Sequence, residues 1–150
     1  MAQGDSKQFY DYPLKAGNGE FDNSTNIFKG RFTATAYASV DITAVNPNVS
    51  VYAATTGGNF AGDVTLTAVT FSRTGAVTAL DAAALATIAK DPSNPADIRS
   101  FIVYNDTHAT DFPYEVYDLT ADGTTPIDVV NNDLDFNFGA AGIMTGTANT

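Results

Sequence analysis

Hydrophobic and polar residues alternate along two stretches of the chain. In residues 28–43 the apolar side chains occupy even positions, from Phe28 to Ile42, and mostly polar residues lie between them. The same period of two returns in residues 63–73. Because successive side chains of a strand point to opposite faces, both stretches predict half-buried β-strands, and Gly30 predicts a bend or bulge in the first.

The most continuous apolar run of the chain covers residues 101–104 and follows Ile98. A run of strand length without alternation predicts a central strand that is covered on both faces. Shorter strands, separated by turns rich in Asn, Asp, Gly and Pro, are predicted at 49–53, 114–119, 127–130, 133–138 and 142–147. Seven or eight short strands predict an all-β fold, an antiparallel β-sandwich of jelly-roll or immunoglobulin-like type.

One segment favours a helix. Residues 80–92 are rich in Ala, with Asp81 as a candidate N-cap, Lys90 near the C-terminal end and Pro92 as the stop. The pattern predicts one short helix here.

Among the strand residues, those expected to be largely buried are Leu66, Phe101, Val103, Phe136 and Phe138.

Residues 1–25 are predicted to form an extended N-terminal arm on a β-sandwich domain of residues 26–150. The arm has no strand pattern, yet it carries four aromatic residues: Phe9, Tyr10, Tyr12 and Phe21. Such residues are too costly to leave in water, so they are predicted to be interface residues. The hypothesis is that the arm crosses onto a neighbouring subunit or an underlying surface and is ordered only there.

Charge and cysteine content narrow the classes of partner and site. The net charge is −10, and residues 100–150 contain acidic residues but no Lys or Arg. Such a surface repels phosphates and anionic lipids, so no nucleic-acid partner and no membrane partner are expected. The chain has no Cys, and its N-terminus lacks the apolar core of a secretory signal. We therefore expect a protein made in a cytoplasm.

Candidate catalytic and metal-binding residues are sparse. The single histidine, His108, lies in a polar turn, where an exposed loop residue is the expectation. Asp133 and Asp135 share one face of a predicted strand, and the segment that contains Asp122 only partly matches a calcium loop. We predict no catalytic residue, no metal ligand and no cofactor, and hence no enzyme.

Three blocks of the chain resemble small structural proteins of tailed-phage virions. These are DIRSFIVYNDT (97–107), the Pro-containing DFPYEVYDL (111–119) and LDFNFGAAGIMT (134–145). The segment DVTLTAVTFSRTG (63–75) is similar to a strand that precedes them in that family, whereas the Ala-rich insert at 80–95 departs from it.

This resemblance implies a virion structural protein, and within that class a head decoration or cement protein located on the capsid surface. Its partners would be the major capsid protein and sister copies, in a homotrimer. The alternative is a carbohydrate-binding or adhesin-type β-module of a tail or collar appendage, in which Tyr side chains would contact sugars. A hydrolase of unrecognised type is the third possibility.

Overall fold

The computed structural model describes residues 3–22, 24–74, 77–138 and 144–147, and it is mostly β. The strands are β1 (Ser6–Gln8), β2 (Phe28–Thr33), β3 (Thr56–Gly57), β4 (Phe60–Ala61), β5 (Asp63–Thr65), β6 (Thr70–Thr74), β7 (Val77–Asp81), β8 (Ser100–Asn105), β9 (Phe112–Asp118) and β10 (Met144–Thr147). Within the described residues there is one α-helix, α1 (Asp11–Gly17), and two 3₁₀ turns, at Tyr37–Ser39 and Val49–Val51.

A five-stranded antiparallel sheet forms the centre of the molecule, in the order β1-β9-β8-β2-β5. Strand β8 lies between β2 and β9, where Phe101 is opposite Phe32 on one side and Tyr117 on the other. Every residue of β8 and of β9 is buried. The central, two-sided strand predicted from the apolar run at 101–104 is confirmed.

Both faces of this sheet are covered. On the first face Phe101 and Val103 pack in one aromatic cluster with Phe28 and Phe32 of β2. On the second face Ile102 packs in another cluster with side chains from the arm and from the segment 37–52: Phe9, Tyr37, Val40, Val49 and Tyr52. The alternation along β8 therefore divides its side chains between two separate cores, which is why its sequence shows no polar face.

Gly30 lies within β2 in regular pairing with β8, opposite Val103, and not at a bend. A Cβ atom added at Gly30 would collide with the ring of Phe101. The glycine thus makes room for the ring of Phe101, and the bend or bulge predicted at Gly30 is wrong. A register shift is found elsewhere in the sheet, between Val103 and Tyr104 in the pairing of β8 with β9.

The strand predicted over 28–43 ends at Thr33, and the strand predicted at 49–53 is a 3₁₀ turn. Beyond Thr33 the chain crosses the second face of the sheet and buries Tyr37, Val40 and Val49 there. Apolar and polar residues continue to alternate after Thr33 because this segment packs one side against the sheet. The segment is not itself a strand of that sheet.

The stretch 63–73 is divided between two sheets. Strand β5 is an edge of the central sheet, and β6 belongs to a three-stranded sheet of order β10-β7-β6. Between them Ala68 adopts a left-handed backbone conformation with φ of 50°. The strand predicted at 142–147 is found at β10, opposite β7, and residues 142–143 lie outside the described part of the chain.

The helix predicted at 80–92 is wrong, as is the hairpin of 127–130 with 133–138. After β7 ends at Asp81, the Ala-rich segment is extended and bonds to the 134–136 backbone. Ile88 and Leu134 exchange both backbone hydrogen bonds, and Leu85 N donates to Phe136 O at 3.0 Å. Pairing with a distant segment satisfies the backbone groups that a helix would have satisfied locally.

An all-β antiparallel fold is therefore confirmed, and its short helix lies in the arm. The jelly-roll or immunoglobulin-like strand order stays a prediction. Of the residues predicted to be buried, Leu66, Phe101 and Val103 are buried, whereas Phe136 and Phe138 are half-buried against Phe101. Across the described residues, no helix combines the length and apolar composition required to cross a membrane.

Candidate functional site: the docked arm and its outer surface

The N-terminal arm is part of the central sheet. Strand β1 pairs antiparallel with β9, so that Ser6 is opposite Tyr117 and Gln8 is opposite Glu115. Backbone hydrogen bonds continue the contact, from Gly4 N to Asp118 O at 2.9 Å and from Phe9 N to Tyr114 O at 3.1 Å. The hypothesis that the arm is ordered only on a neighbouring subunit is therefore corrected, because its own domain supplies the docking surface.

Three of the four predicted interface aromatics serve this chain's own core. Phe9 is fully buried on the second face of the sheet. Tyr12 and Phe21 stack with ring centroids 5.1 Å apart on the first face, where Phe21 also lies 5.1 Å from Phe112. These side chains are not available to a partner while the arm is docked.

Local sequence explains how α1 holds the arm in place. Asp11 and Pro13 lie in its first turn, where a carboxylate is favourable and the missing N–H of proline costs nothing. The helix ends where Gly19 adopts a φ of 74° and its N–H bonds to Ala16 O. A helix of this length gains its stability from packing, which Tyr12 provides.

The fourth aromatic points outward. Tyr10 is 68% exposed, and Leu14, one turn further along α1, is 59% exposed. The loop beside them presents Val45, which is 82% exposed. Two hydrogen bonds of 2.9 Å connect arm and loop, from Tyr10 N to Ile42 O and from Asn46 N to Asp11 Oδ2. We call Tyr10, Leu14 and Val45 the arm patch.

Sequence reasoning found Tyr10 but missed the rest of the arm patch. The spacing of four residues between Tyr10 and Leu14 was the available signal for a shared helix face. Nothing local marked Val45, since its place beside α1 depends on the long-range contact between Asp11 and Asn46.

His108 is half-buried, in contrast to the exposed loop residue that was expected. Its ring packs edge-on against Phe21 and Phe112, with centroids 5.3 Å and 5.6 Å away. Nδ1 lies 3.0 Å from Thr110 Oγ1, and Nε2 lies 3.8 Å from Glu20 Oε2. These contacts hold the turn between β8 and β9 against the arm.

Asp133 and Asp135, which were expected to share one face, make two separate contacts, one with a backbone N–H and one with a side-chain hydroxyl. Asp133 Oδ1 accepts a hydrogen bond from Lys90 N at 2.9 Å, and Asp135 Oδ1 accepts one from Thr87 Oγ1 at 2.6 Å. Both therefore fix the extended segment after β7. Asp122 accepts hydrogen bonds from the backbone N–H groups of Thr125 and Thr124, which lower the pKa of its carboxyl. Among the described residues, no three His, Cys, Asp or Glu side chains are grouped to hold a metal ion.

An ion pair between β2 and β5 was not predicted. Arg31 Nε and Nη2 donate to the two carboxylate oxygens of Asp63 at 2.7 Å and 2.6 Å, and Tyr104 OH donates to Oδ2 at 2.9 Å. Burial alone would raise the pKa of Asp63, but these hydrogen bonds outweigh it and the net shift is downward. The arrangement fixes β5 to the central sheet.

A buried acid lies in β9, opposite Gln8 of β1. Burial raises the pKa of Glu115 to about 7, although hydrogen bonds from Ser6 and Tyr117 favour the charged form. Its Oε2 has no hydrogen-bond partner among the described residues. The only signal in the sequence was a charged residue between Tyr114 and Val116, in a strand that is otherwise apolar except for Asp118 at its end.

A cavity of about 520 Å³ lies between β4, β5 and the segment 84–89. Its walls are mainly apolar and include Phe60, Val64, Leu85 and Ile88. Phe60 is buried, so it presents no open ring face on which a sugar could stack.

Comparison with protein-family models, with curated proteins and with solved structures gives no match to this chain.

Proposed function

We propose that the chain is a structural protein of a tailed-phage virion, a decoration or cement protein that attaches to the capsid. The three blocks of sequence that resemble such proteins support this proposal, and the second of them contains β9, on which the arm docks. The protein would be made in the host cytoplasm and located on the capsid surface, with the major capsid protein as its partner.

The observation that carries the proposal is the arm patch. Leu14 lies on α1, which Tyr12 packs against the core, Tyr10 directly precedes that helix, and Val45 lies on a loop that is hydrogen-bonded to it. Exposed apolar side chains at fixed positions lose little conformational freedom on binding, which favours their use as anchors. The outer side of the docked arm would therefore contact the capsid. The inner aromatic side chains hold the arm on its own domain.

The proposal is tested with purified shells of the phage that encodes the chain. The full chain should cosediment with the shells at a fixed, saturable stoichiometry. The Tyr10→Lys variant should lose most of this binding, because a charged side chain replaces an apolar anchor at an interface centre. Phe71→Lys is the matched control, since Phe71 is a second exposed aromatic that lies in a different sheet.

Equal binding by the Tyr10→Lys variant and the parent chain would show that the arm patch does not contact the capsid. No binding by the parent would contradict the capsid assignment itself. Binding of the parent to a glycan array, without binding to shells, would instead favour the carbohydrate-binding alternative.

A further inference from the structure

Strand β6 has a free edge. It is the last strand in the order β10-β7-β6 and pairs only with β7 within the described residues. Its five residues, Thr70–Thr74, include neither Pro nor Gly. The outer N–H and C=O groups of such a strand are a template for pairing with another strand.

The edges of the central sheet differ from this one. Strands β1 and β5 are three residues long, and each carries a charged residue, Lys7 in β1 and Asp63 in β5. Short and charged edges resist pairing with another chain. Strand β6 is longer, with five residues, and also has one charged residue, Arg73, but its first three residues, Thr70, Phe71 and Ser72, are exposed and uncharged.

The apolar face of the small sheet also continues to this edge. Phe71 is directly opposite Leu80 of β7, so both side chains lie on the same face. Leu80 is fully buried in the first core, whereas Phe71 is 51% exposed. One more strand beside β6 would cover Phe71 and extend the core by one row.

The hairpin register indicates which groups point outward. Thr74 and Val77 are paired, with two residues between them in the sequence, and the closing pair of such a hairpin is of the hydrogen-bonded type. Bonded pairs alternate along antiparallel strands, which turns the backbone of Ser72 toward β7. The N–H and C=O groups of residues 71 and 73 are then directed to the free side.

We propose that β6 pairs antiparallel with β6 of a second copy of this chain, about a twofold axis at Ser72. In this register residue 71 of each copy meets residue 73 of the other, so the outward groups of both strands are satisfied reciprocally. Ser72 is opposite Ser72 of the other copy in a non-hydrogen-bonded pair, the type of pair in which the two Cα atoms are closer together. The contact is isologous, and it closes at two copies.

Electrostatic repulsion opposes dimerisation less at the β6 edge than at most other parts of the surface. Two chains of net charge −10 repel each other, but residues 64–80 contain no Asp or Glu. An acidic partner strand would be possible on charge alone, whereas self-pairing also satisfies the register. This inference does not rest on the capsid assignment, and it differs from the homotrimer expected from the resemblance.

Sedimentation equilibrium of the full chain tests the pairing. The parent should reach twice the 15.7 kDa mass of one chain as its concentration rises. Phe71→Lys should remain at the mass of one chain, because a Lys on an edge strand opposes pairing. Tyr10→Lys, with the same change at another exposed aromatic, should dimerise like the parent. A parent that stays monomeric, or that reaches three copies, would overturn the proposal.

Cross-linking tests the register. The chain has no Cys, so Ser72→Cys introduces a single thiol, whose Cβ would lie about 4.5 Å from that of its counterpart. Diamide should then link two chains of this variant, and adding Phe71→Lys should abolish the link. Ser39→Cys, another exposed serine in a different segment, is the control. Equal cross-linking of both cysteine variants, or none in Ser72→Cys, would exclude a twofold axis at Ser72.

The two proposals fail separately. Tyr10→Lys should lose shell binding and keep the dimer, whereas Phe71→Lys should lose the dimer and keep shell binding at saturation. A variant that loses both properties would show that the arm patch and the β6 edge are not independent surfaces.

Discussion

Strands β8 and β6 have similar local character and opposite surroundings. Each contains an aromatic residue beside Ser or β-branched residues, and either would be predicted as a strand. Strand β8 has a neighbour on both sides and cover on both faces, so all its residues are buried. Strand β6 has one neighbour, and its first three residues are exposed. The first strand stabilises the molecule, and the second is available to a partner.

The comparison extends to the arm. Its inner side chains complete the two cores of the central sheet, whereas Tyr10 and Leu14 on its outer side contact solvent. A single short segment therefore contributes both to folding and to the proposed attachment surface. Truncations and point substitutions will separate these contributions.

Removing residues 1–25 should have the largest effect. This deletion takes Phe9, Tyr12 and Phe21 out of two cores, and each buried aromatic contributes on the order of 3–5 kcal/mol. Their sum is comparable to the whole stability of an ordinary domain, about 5–15 kcal/mol. We expect a chain that starts at Asn26 to lose cooperative unfolding by urea. A truncated chain that folds with parental stability would show that the arm is dispensable to the cores.

Replacing one phenylalanine in each sheet compares them directly. Phe101→Ala should lower the free energy of unfolding by about 3–5 kcal/mol, because the ring is fully buried against Phe32 and Phe136. Phe71→Ala should change it by less than about 1 kcal/mol in a monomeric sample, since half of the side chain is already in water. Urea titrations at low protein concentration measure both values. Similar losses for the two variants would contradict the assignment of stability to the central sheet.

Glu115 gives the central sheet a pH dependence. With a pKa of about 7 in the folded chain and an ordinary value of 4.5, the folded state retains a proton that the unfolded state releases. This contribution to stability is full below pH 4.5 and is lost as the pH rises through 7.

Glu115→Gln should remove that dependence because the amide does not ionise. At pH 8 the variant should be more stable than the parent by about 3 kcal/mol, and near pH 4 the difference should vanish. Urea titrations at both pH values measure this. A constant difference between variant and parent across this range would show that Glu115 does not titrate between the two states.

The sequence predicted the elements whose signal is local. A continuous apolar run marked β8, and the fold class followed from repeated alternation and turn residues. The arm was anticipated as an aromatic segment that must dock, but its partner could not be read, because a strand of three polar residues at Ser6–Gln8 carries no pattern. Pairing with β9 supplies that information from more than a hundred residues away.

The errors share this cause. Ala-rich residues 80–92 have helical propensity, which loses to backbone pairing of Ile88 with Leu134. Alternation past Thr33 indicated cover over a sheet and was interpreted as a longer strand. Val45 entered the candidate site only through the contact of α1 with a loop 35 residues later in the chain. Long-range contacts, and not local preference, decided each case.

Amide hydrogen exchange on the full chain, followed across a range of protein concentrations, tests most directly whether the two sheets differ as described. Amides of Ser100–Asn105 and Phe112–Asp118 should exchange only through global unfolding, at a rate independent of concentration in the dilute range. The amides of Phe71 and Arg73 should exchange rapidly in dilute samples and become protected as the concentration rises and β6 acquires its partner. Rapid exchange in β8, or exchange in β6 that is the same at every concentration, would contradict the account.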